Sequence, residues 1–308
     1  MDIISVKNLK KSYQRGKTPA LRGLDFNVQE GEIYGIIGPD GAGKTTLFRI
    51  LTTLLLADEG SATVDGCDVR KEYRKIRRRI GYMPGRFSLY QDLSVEENLR
   101  FFATIFHTTL EENYELVRDI YCQIEPFRTR KAGQLSGGMK QKLALCCALI
   151  HAPRVLFLDE PTTGVDPVSR KEFWEMLKKL KRQHGMTVVV STPYMDEAML
   201  CDRIALIQNG KFLRVDTPTG IISAYSDTLW AIKSDRMHRL TDDLRSCPQV
   251  KTVFPFGETF HVTVTAGAAK EDVASHLASK GHTQVQIGAI TATIEDCFMS
   301  LMKNSDER

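Results

Sequence analysis

Several features are missing from this sequence, and each absence narrows what the chain can be. No apolar run approaches the roughly 20 residues that a spanning helix needs. The longest, such as Leu143 to Ile150, stop far short. The opening residues MDIISVKNLK carry no charged-then-apolar leader, so any membrane role is expected to be borrowed from a partner. The seven cysteines, Cys67, Cys122, Cys146, Cys147, Cys201, Cys247 and Cys297, are odd in number and form no CxxC pair. That excludes a disulfide framework and a zinc ribbon, and predicts buried free thiols in a reducing compartment. A large excess of one sign of charge is missing as well. A formal net charge of +4 gives no argument for nucleic acid, and no nucleic-acid partner is expected.

What is present reads as a globular α/β chain. At 308 residues it exceeds one ordinary core, which predicts a large domain and a small one. Ile3 to Val6 and Leu24 to Val28 alternate as strands, and Glu32 to Ile37 is an apolar run that ends in a glycine-rich loop. Thr45 to Leu56 places Leu47, Ile50, Leu51 and Leu54 at helical spacing. Arg70 to Arg79 holds seven basic residues in ten and reads as a solvated helix face with Tyr73 and Ile76 on its apolar side. Two helical stretches follow between Val95 and Cys122, the first with Leu99, Phe102, Ala103 and Phe106 on one face. Val155 to Leu158, helix Val168 to Gln183 and Thr187 to Val190 form a strand–helix–strand unit, the mark of a parallel sheet. Ile204 to Ile207, Asn209-Gly210 and Phe212 to Val215 read as a hairpin.

Composition shifts near Pro218. Beyond it the pattern predicts strand Leu229 to Lys233, helix Met237 to Arg245, strands Val250 to Phe254 and Thr259 to Val264, helix Lys270 to Ser279 and strand Thr283 to Ile287. This order is that of a small α+β ferredoxin-like module, closed by a helix over Ile294 to Lys303. His261, His276 and His282 are scattered through it, and ordinary core or surface roles are expected for them. The division predicted is therefore 1–217 and 218–308.

Three motifs carry chemistry. Gly38-Pro39-Asp40-Gly41-Ala42-Gly43-Lys44-Thr45, followed by Thr46, matches the phosphate-binding P-loop between a strand and a helix. Its glycines let successive N–H groups converge on phosphate, and the helix start adds a favourable dipole. Lys44 brings a positive charge to the β/γ-phosphates, and the Thr45 hydroxyl is a Mg²⁺ ligand of the right type. Val155 to Leu158 delivers Asp159 and Glu160 to a strand end. Asp159 can hold Mg²⁺, and Glu160 can orient or deprotonate the attacking water. Between the two lies Leu135-Ser136-Gly137-Gly138-Met139-Lys140-Gln141. A Ser-Gly-Gly turn opening a helix is an anion nest, although alone it could be a plain helix start capped by Ser136.

In that order the motifs resemble those of the ABC ATPases, over roughly residues 2–217. Pro161 to Pro167 looks like the family's D-loop region, and Tyr13 stands where the family stacks an aromatic on adenine, though it could be an ordinary strand tyrosine. Gly81-Tyr82-Met83-Pro84 through Leu93 to Leu99, with the appended C-terminal module, is similar to the ATP-binding subunits of bacterial ABC-2-type drug exporters. The resemblance implies a P-loop NTPase core with a helical signature subdomain at about residues 93–145. It also implies ATP and Mg²⁺ as cofactors, permease partners, and a place on the cytoplasmic face of the membrane. In the family two such domains pack head to tail, with each nucleotide between one subunit's P-loop and the other's signature.

Two positions depart from the family. Gly85 stands where a Mg²⁺-ligating glutamine is usual, with Gln91 six residues on, and Pro193 stands where a γ-phosphate-sensing histidine is usual. The expectation is slow or absent turnover at this chain's own P-loop, while the intact Ser136, Gly137 and Gly138 complete a partner's site in a heterodimer. Two other classes stay open on the residues: a soluble ABC ATPase acting on ribosomes or DNA, and a non-hydrolysing regulatory subunit. The first usually has two ATP domains in one chain or a coiled-coil insertion, and neither is seen here.

Overall fold

The computed structural model describes residues 1–14, 16–85 and 89–306. It divides into two compact units, Met1–Pro218 and Thr219–Arg308.

The first unit opens with β1 (Asp2–Tyr13) and β2 (Thr18–Gln29), paired antiparallel. Both are far longer than the alternating segments in the sequence. Register shifts around Val6 and Leu9, with Asn8 at φ 46°, interrupt the two-residue period and hide the strand's continuation. β3 (Ile33–Ile37) is buried at every residue, as a strand covered on both faces must be. It feeds the P-loop and α1 (Lys44–Leu51). That helix ends earlier than its spacing predicts. Thr53 takes φ 65° and breaks it, leaving Leu54 and Leu56 57% and 65% exposed.

β4 (Glu59–Val64) and β5 (Cys67–Asp68) extend the antiparallel sheet. In α2 (Tyr73–Arg79) only Ile76 is buried. Tyr73 faces solvent, with the guanidinium carbons of Arg74 and Arg77 5.8 and 5.3 Å from its ring centroid. After β6 (Ile80–Met83) come α3 (Val95–Ile105), α4 (Tyr114–Tyr121) and α5 (Gly137–Leu149). Ser94 and Glu97 form a reciprocal capping box at the start of α3. β7 (Val155–Asp159), α6 (Pro167–His184), β8 (Thr187–Thr192), β9 (Arg203–Gln208) and β10 (Lys211–Asp216) complete the unit. Asn209 and Gly210, at φ 48° and 75°, make the tight β9–β10 turn.

Two sheets result, one ordered β2-β1-β4-β5 and the other β10-β9-β3-β8-β7-β6. In the second, all pairs but β10–β9 are parallel. The core fills the space between the sheets around α1, where Phe48 meets Phe157 edge to face at 5.8 Å. This is the α/β P-loop architecture that the motifs imply.

α7 (Pro218–Ser223) begins where the units divide, and the second unit continues with β11 (Thr228–Lys233), α8 (Met237–Arg245), β12 (Val250–Phe256), β13 (Thr259–Val264), α9 (Lys270–Ser279), β14 (Gln286–Ala289) and α10 (Ile294–Asp306). Its fully antiparallel order β12-β13-β11-β14 is the ferredoxin-like arrangement. The last strand starts three residues later than its sequence pattern suggests. The N–H groups of Thr283 and Gln284 donate to the Asp235 carboxylate instead of to a neighbouring strand. Two histidines act as buried polar ties: His261 meets Asp296 at 2.7 Å, and His282 bridges Ser234 and Asp243 at 2.6 and 3.0 Å. All seven cysteines are free thiols. Six are buried, but Cys122, expected to be buried, is exposed at the end of α4.

Candidate functional site

The parallel order of β9, β3, β8, β7 and β6 brings the C-terminal ends of β3, β7 and β8 side by side, the edge where such sheets bind ligands. Gly38 to Gly43 leaves β3. Gly43 sits at φ 110° directly before α1, and a Cβ there would lie 2.5 Å from the Ala20 carbonyl oxygen. Only glycine fits this junction. Pro39 accepts from Ala42 N–H at 3.2 Å and so closes the loop. The start of α1 points its unpaired N–H groups at the loop's mouth. Buried Lys44 folds back, with Nζ donating to the Gly38 and Pro39 carbonyls at 2.8 and 3.0 Å. Thr45 and Thr46 are half-buried beside it. Tyr13, at the end of β1 and 38% exposed, contacts Thr46 Oγ1 through its hydroxyl at 3.2 Å. The ring is thereby held at the loop with its surface available.

From β7 the chain delivers Asp159, buried, and Glu160, half-buried at φ 51°. Glu160 Oε1 is 3.1 Å from Lys44 Nζ, so the P-loop lysine and the acidic pair share one pocket. Ser191 joins them. Its hydroxyl donates to Asp159 Oδ1 at 2.6 Å, and its oxygens accept from Glu160 N–H. Tyr82, on neighbouring β6, has its phenol pushed up to about 12 by burial, with the Asp159 charge adding to the effect.

Ser136 caps α5, its hydroxyl accepting from Met139 N–H at 3.3 Å. Ser136 and Gly137 are exposed. Gly138 packs so closely on α6 that a Cβ would meet Ser169 Oγ at 2.6 Å. Asp166 caps α6 by accepting from Ser169 and Val168 N–H, and these bonds hold its carboxyl below the usual range. Among the described residues, no hydrogen bond or ion pair links Ser136, Gly137 or Gly138 to the P-loop. The signature turn thus exposes Ser136 and Gly137 while Gly138 is buried against α6.

Of the two positions expected to depart from the family, Gly85 lies against the acidic pair and Pro193 follows a strand beside it. A Cβ on exposed Gly85 would stand 3.0 Å from the Asp159 carbonyl oxygen and 3.8 Å from Glu160 Cβ. Pro193 follows directly on β8, whose Thr192 pairs with Ile37 of β3 and whose Ser191 pairs with Asp159 of β7. It thus leaves the sheet between the P-loop strand and the acidic strand. Gln91 lies beside Gly133: its backbone carbonyl accepts from Gly133 N–H at 2.9 Å, and its side-chain oxygen would be 3.5 Å from a Cβ on that glycine.

Sequence reasoning singled out neither Ser191 nor Glu197 as a site residue. Glu197 is 1% exposed, accepts from the Thr162 hydroxyl at 2.7 Å and lies 3.8 Å from Arg170, whose guanidinium stacks over Tyr194 at 4.3 Å. The stretch from Ser191 to Glu197 thus grips Asp159 to Thr162 at both ends. The available signal was a hydroxyl closing an otherwise apolar strand, and a carboxylate too close to that strand to stay in water.

Fold and site define a P-loop nucleotide-binding cassette, and comparison with known proteins agrees. A family profile described as ABC transporter matches residues 21–163. A protein named probable multidrug ABC transporter ATP-binding protein YbhF, from Escherichia coli (strain K12), is 36% identical over 304 residues, covering 97% of this chain and 52% of that protein. The chain thus spans about half the length of that relative. The daunorubicin resistance ATP-binding protein DrrA2 of Streptomyces coeruleorubidus is 35% identical over 331 residues, covering 100% of this chain and 98% of that one. Among solved structures, cbiO1 from Clostridium perfringens, part of the ABC transporter complex cbiONQ, superposes with a TM-score of 0.65 at 28% identity, over 72% of this chain and 91% of that one. The ATP-binding cassette MJ0796, in a dimeric post-hydrolysis state with ADP and Pi, gives 0.63 at 30%, over 70% and 98%. The chain belongs to the ATP-binding proteins of ABC transporters.

Proposed function

We propose that this chain is the ATP-binding subunit of an ABC-2-type exporter, that it binds Mg²⁺-ATP at its own P-loop with slow or absent turnover, and that its signature completes a faster site on a partner. The observation that carries the reading is the placement of Gly85 and Pro193. Gly85 borders Asp159 and Glu160, Pro193 directly follows the strand that pairs with theirs, and neither supplies a side chain that can bond to a metal or a γ-phosphate. Proline also lacks a backbone N–H. The holding groups are all retained. Lys44 and the loop N–H groups take the phosphates, Tyr13 the base, and Glu160 stands ready for water. The Asp159 carboxylate and Thr45 hydroxyl offer hard oxygen donors, the kind Mg²⁺ takes. In this reading residues 1–217 form the ATP-binding domain and 218–308 an accessory one.

Exposure of Ser136 and Gly137, with Gly138 packed on α6 behind them, suits a head-to-tail pair. Pairing with a second, hydrolysis-competent subunit leaves one working site, whereas self-pairing leaves none. The relatives' names, multidrug and daunorubicin resistance, favour export of drug-like compounds.

No helix among the described residues is long and apolar enough to cross a membrane. In the proposed reading, permease partners hold the subunit peripherally, on the cytoplasmic face. An apolar cleft of about 320 Å³, lined by Leu54, Tyr82, Phe102, Ile105, Phe106 and His151 among others, suits a helical segment of a permease. It lies against β6, the strand leading to Gly85, so a segment seated there is linked to the nucleotide site. Burial lowers the His151 pKa, and Arg77 brings a positive charge to the cleft.

A single-turnover experiment tests the reading. The purified chain is loaded with radiolabelled Mg²⁺-ATP and the bound nucleotide is analysed over minutes. Recovery as ATP supports a holding site; prompt conversion to ADP refutes it.

A further inference from the structure

We propose that Ser191 is a positioning residue of the nucleotide site: its buried hydroxyl fixes the Asp159 carboxylate for the metal and the Glu160 backbone for the attacking water. The proposal rests on the reading of Asp159 as the metal-holding carboxylate. Ser191 is 0% exposed in β8, in register with Asp159 of β7. A hydroxyl has one proton and two lone pairs. Here the proton goes to Asp159 Oδ1 at 2.6 Å, which leaves the oxygen to accept from Glu160 N–H at 3.1 Å. The Ser191 carbonyl accepts from that same N–H at 3.0 Å. One residue thus binds the side chain of the first acid and the main chain of the second.

Both ties matter to the chemistry. A carboxylate on the last residue of a strand can rotate about its terminal bond, and a bond to one oxygen removes that freedom. Glu160 sits at φ 51°, a left-handed conformation that a residue with a side chain seldom adopts. The shared N–H holds it there and so sets where its carboxylate leaves the strand. The other two hydroxyls of β8 serve backbone: Thr187 accepts from Gly31 N–H and Thr192 from Tyr194 N–H. A serine that merely filled space would satisfy itself on nearby backbone; this one reaches across to a neighbouring strand's carboxylate. The ties also do not depend on groups at positions 85 or 193. They keep the acids aligned in a chain that lacks the glutamine and histidine usual there.

The test compares ATP binding with and without metal. The full chain and its Ser191→Ala and Ser191→Thr variants are titrated with a fluorescent ATP analogue in EDTA, then across a Mg²⁺ series. Loss of a group that orients a metal ligand costs about 10–100-fold in metal affinity. Ser191→Ala is expected to raise the half-saturating Mg²⁺ concentration about tenfold. Its EDTA-state ATP affinity should stay near wild type, and Ser191→Thr should restore the Mg²⁺ response. An unchanged Mg²⁺ midpoint in Ser191→Ala overturns the proposal. An equal loss in EDTA overturns it too, because that marks a purely structural serine. Wild-type binding with no Mg²⁺ dependence overturns the metal reading of Asp159 first, and the proposal with it.

Discussion

β3 and β8 are hydrogen-bonded neighbours, and Ile37 at the end of one lies opposite Thr192 at the end of the other. What leaves β3 is a complete phosphate loop, with Lys44 folded onto its carbonyls. What leaves β8 is Pro193, with no imidazole to offer. Two strands side by side thus deliver a full phosphate loop and, next to it, a proline where the resemblance leads one to expect a histidine. Holding a triphosphate takes many distributed groups, mostly backbone N–H and one cation. Cleaving it takes a few side chains placed on one water and one metal. The two sets can therefore be lost separately, and here the fold keeps the first.

This comparison can be broken at several points. The largest effect is expected at the signature. Gly138→Ala places a methyl 2.6 Å from Ser169 Oγ, so the turn must shift. A shift on the scale of an ångström costs about 10²-fold in rate. ATPase of a mixed pair with a hydrolysis-competent subunit should fall by that order, while ATP binding by this chain alone is unchanged. Loss of its own binding would show that the signature serves this site. Next comes Lys44→Ala. Hydrogen bonds to charged groups contribute about 1.5–3 kcal/mol, so calorimetric titration should show ATP affinity reduced about 10–100-fold. A small change would mean that the holding side is not intact after all.

The smallest effect lies in the second unit and is set by pH. The N–H and hydroxyl of Thr283, with the N–H of Gln284, hold the Asp235 carboxyl down at about 2. A depressed carboxyl adds stability above its unfolded value, near 4, and that stability is lost as pH falls toward 2. Thermal melts between pH 5 and pH 2 should show this acid-side loss, and Asp235→Asn should flatten it. An unaltered acid limb in Asp235→Asn would assign the loss to other carboxylates.

Much of the fold was legible because local pattern and tertiary role agree. β3, β7 and β8 are short apolar runs, and runs of that kind are what a doubly covered parallel strand requires. The limits of α8, β13 and α9 coincide with their hydrophobic periods. Legibility failed where a single backbone angle or a distant side chain decided the outcome. Thr53 ends α1 through a positive φ that no periodicity announces. Asp235 takes the N–H groups of Thr283 and Gln284 from 48 and 49 residues away and shortens the last strand. The P-loop, acidic-pair and signature residues were readable as contiguous motifs. Ser191 and Glu197 were not, because their partners lie on another strand and another loop. Gly85 and Pro193 were visible only through resemblance, since nothing in a glycine or a proline states what it replaces. The structure adds that Gly85 borders the acidic pair and that Pro193 follows the strand between that pair and the P-loop strand.

The most direct measurement is steady-state Mg²⁺-ATPase of the purified chain beside its Gly85→Gln, Pro193→His double variant, at equal ATP occupancy. A missing acid–base or water-positioning group typically costs about 10²–10⁴-fold, with no assurance that two such losses add. The account predicts near-background turnover in the wild-type chain and a rise of at least about 10²-fold in the double variant, with ATP affinity little changed. Rapid turnover by the wild-type chain alone, left unimproved by the double variant, would contradict it.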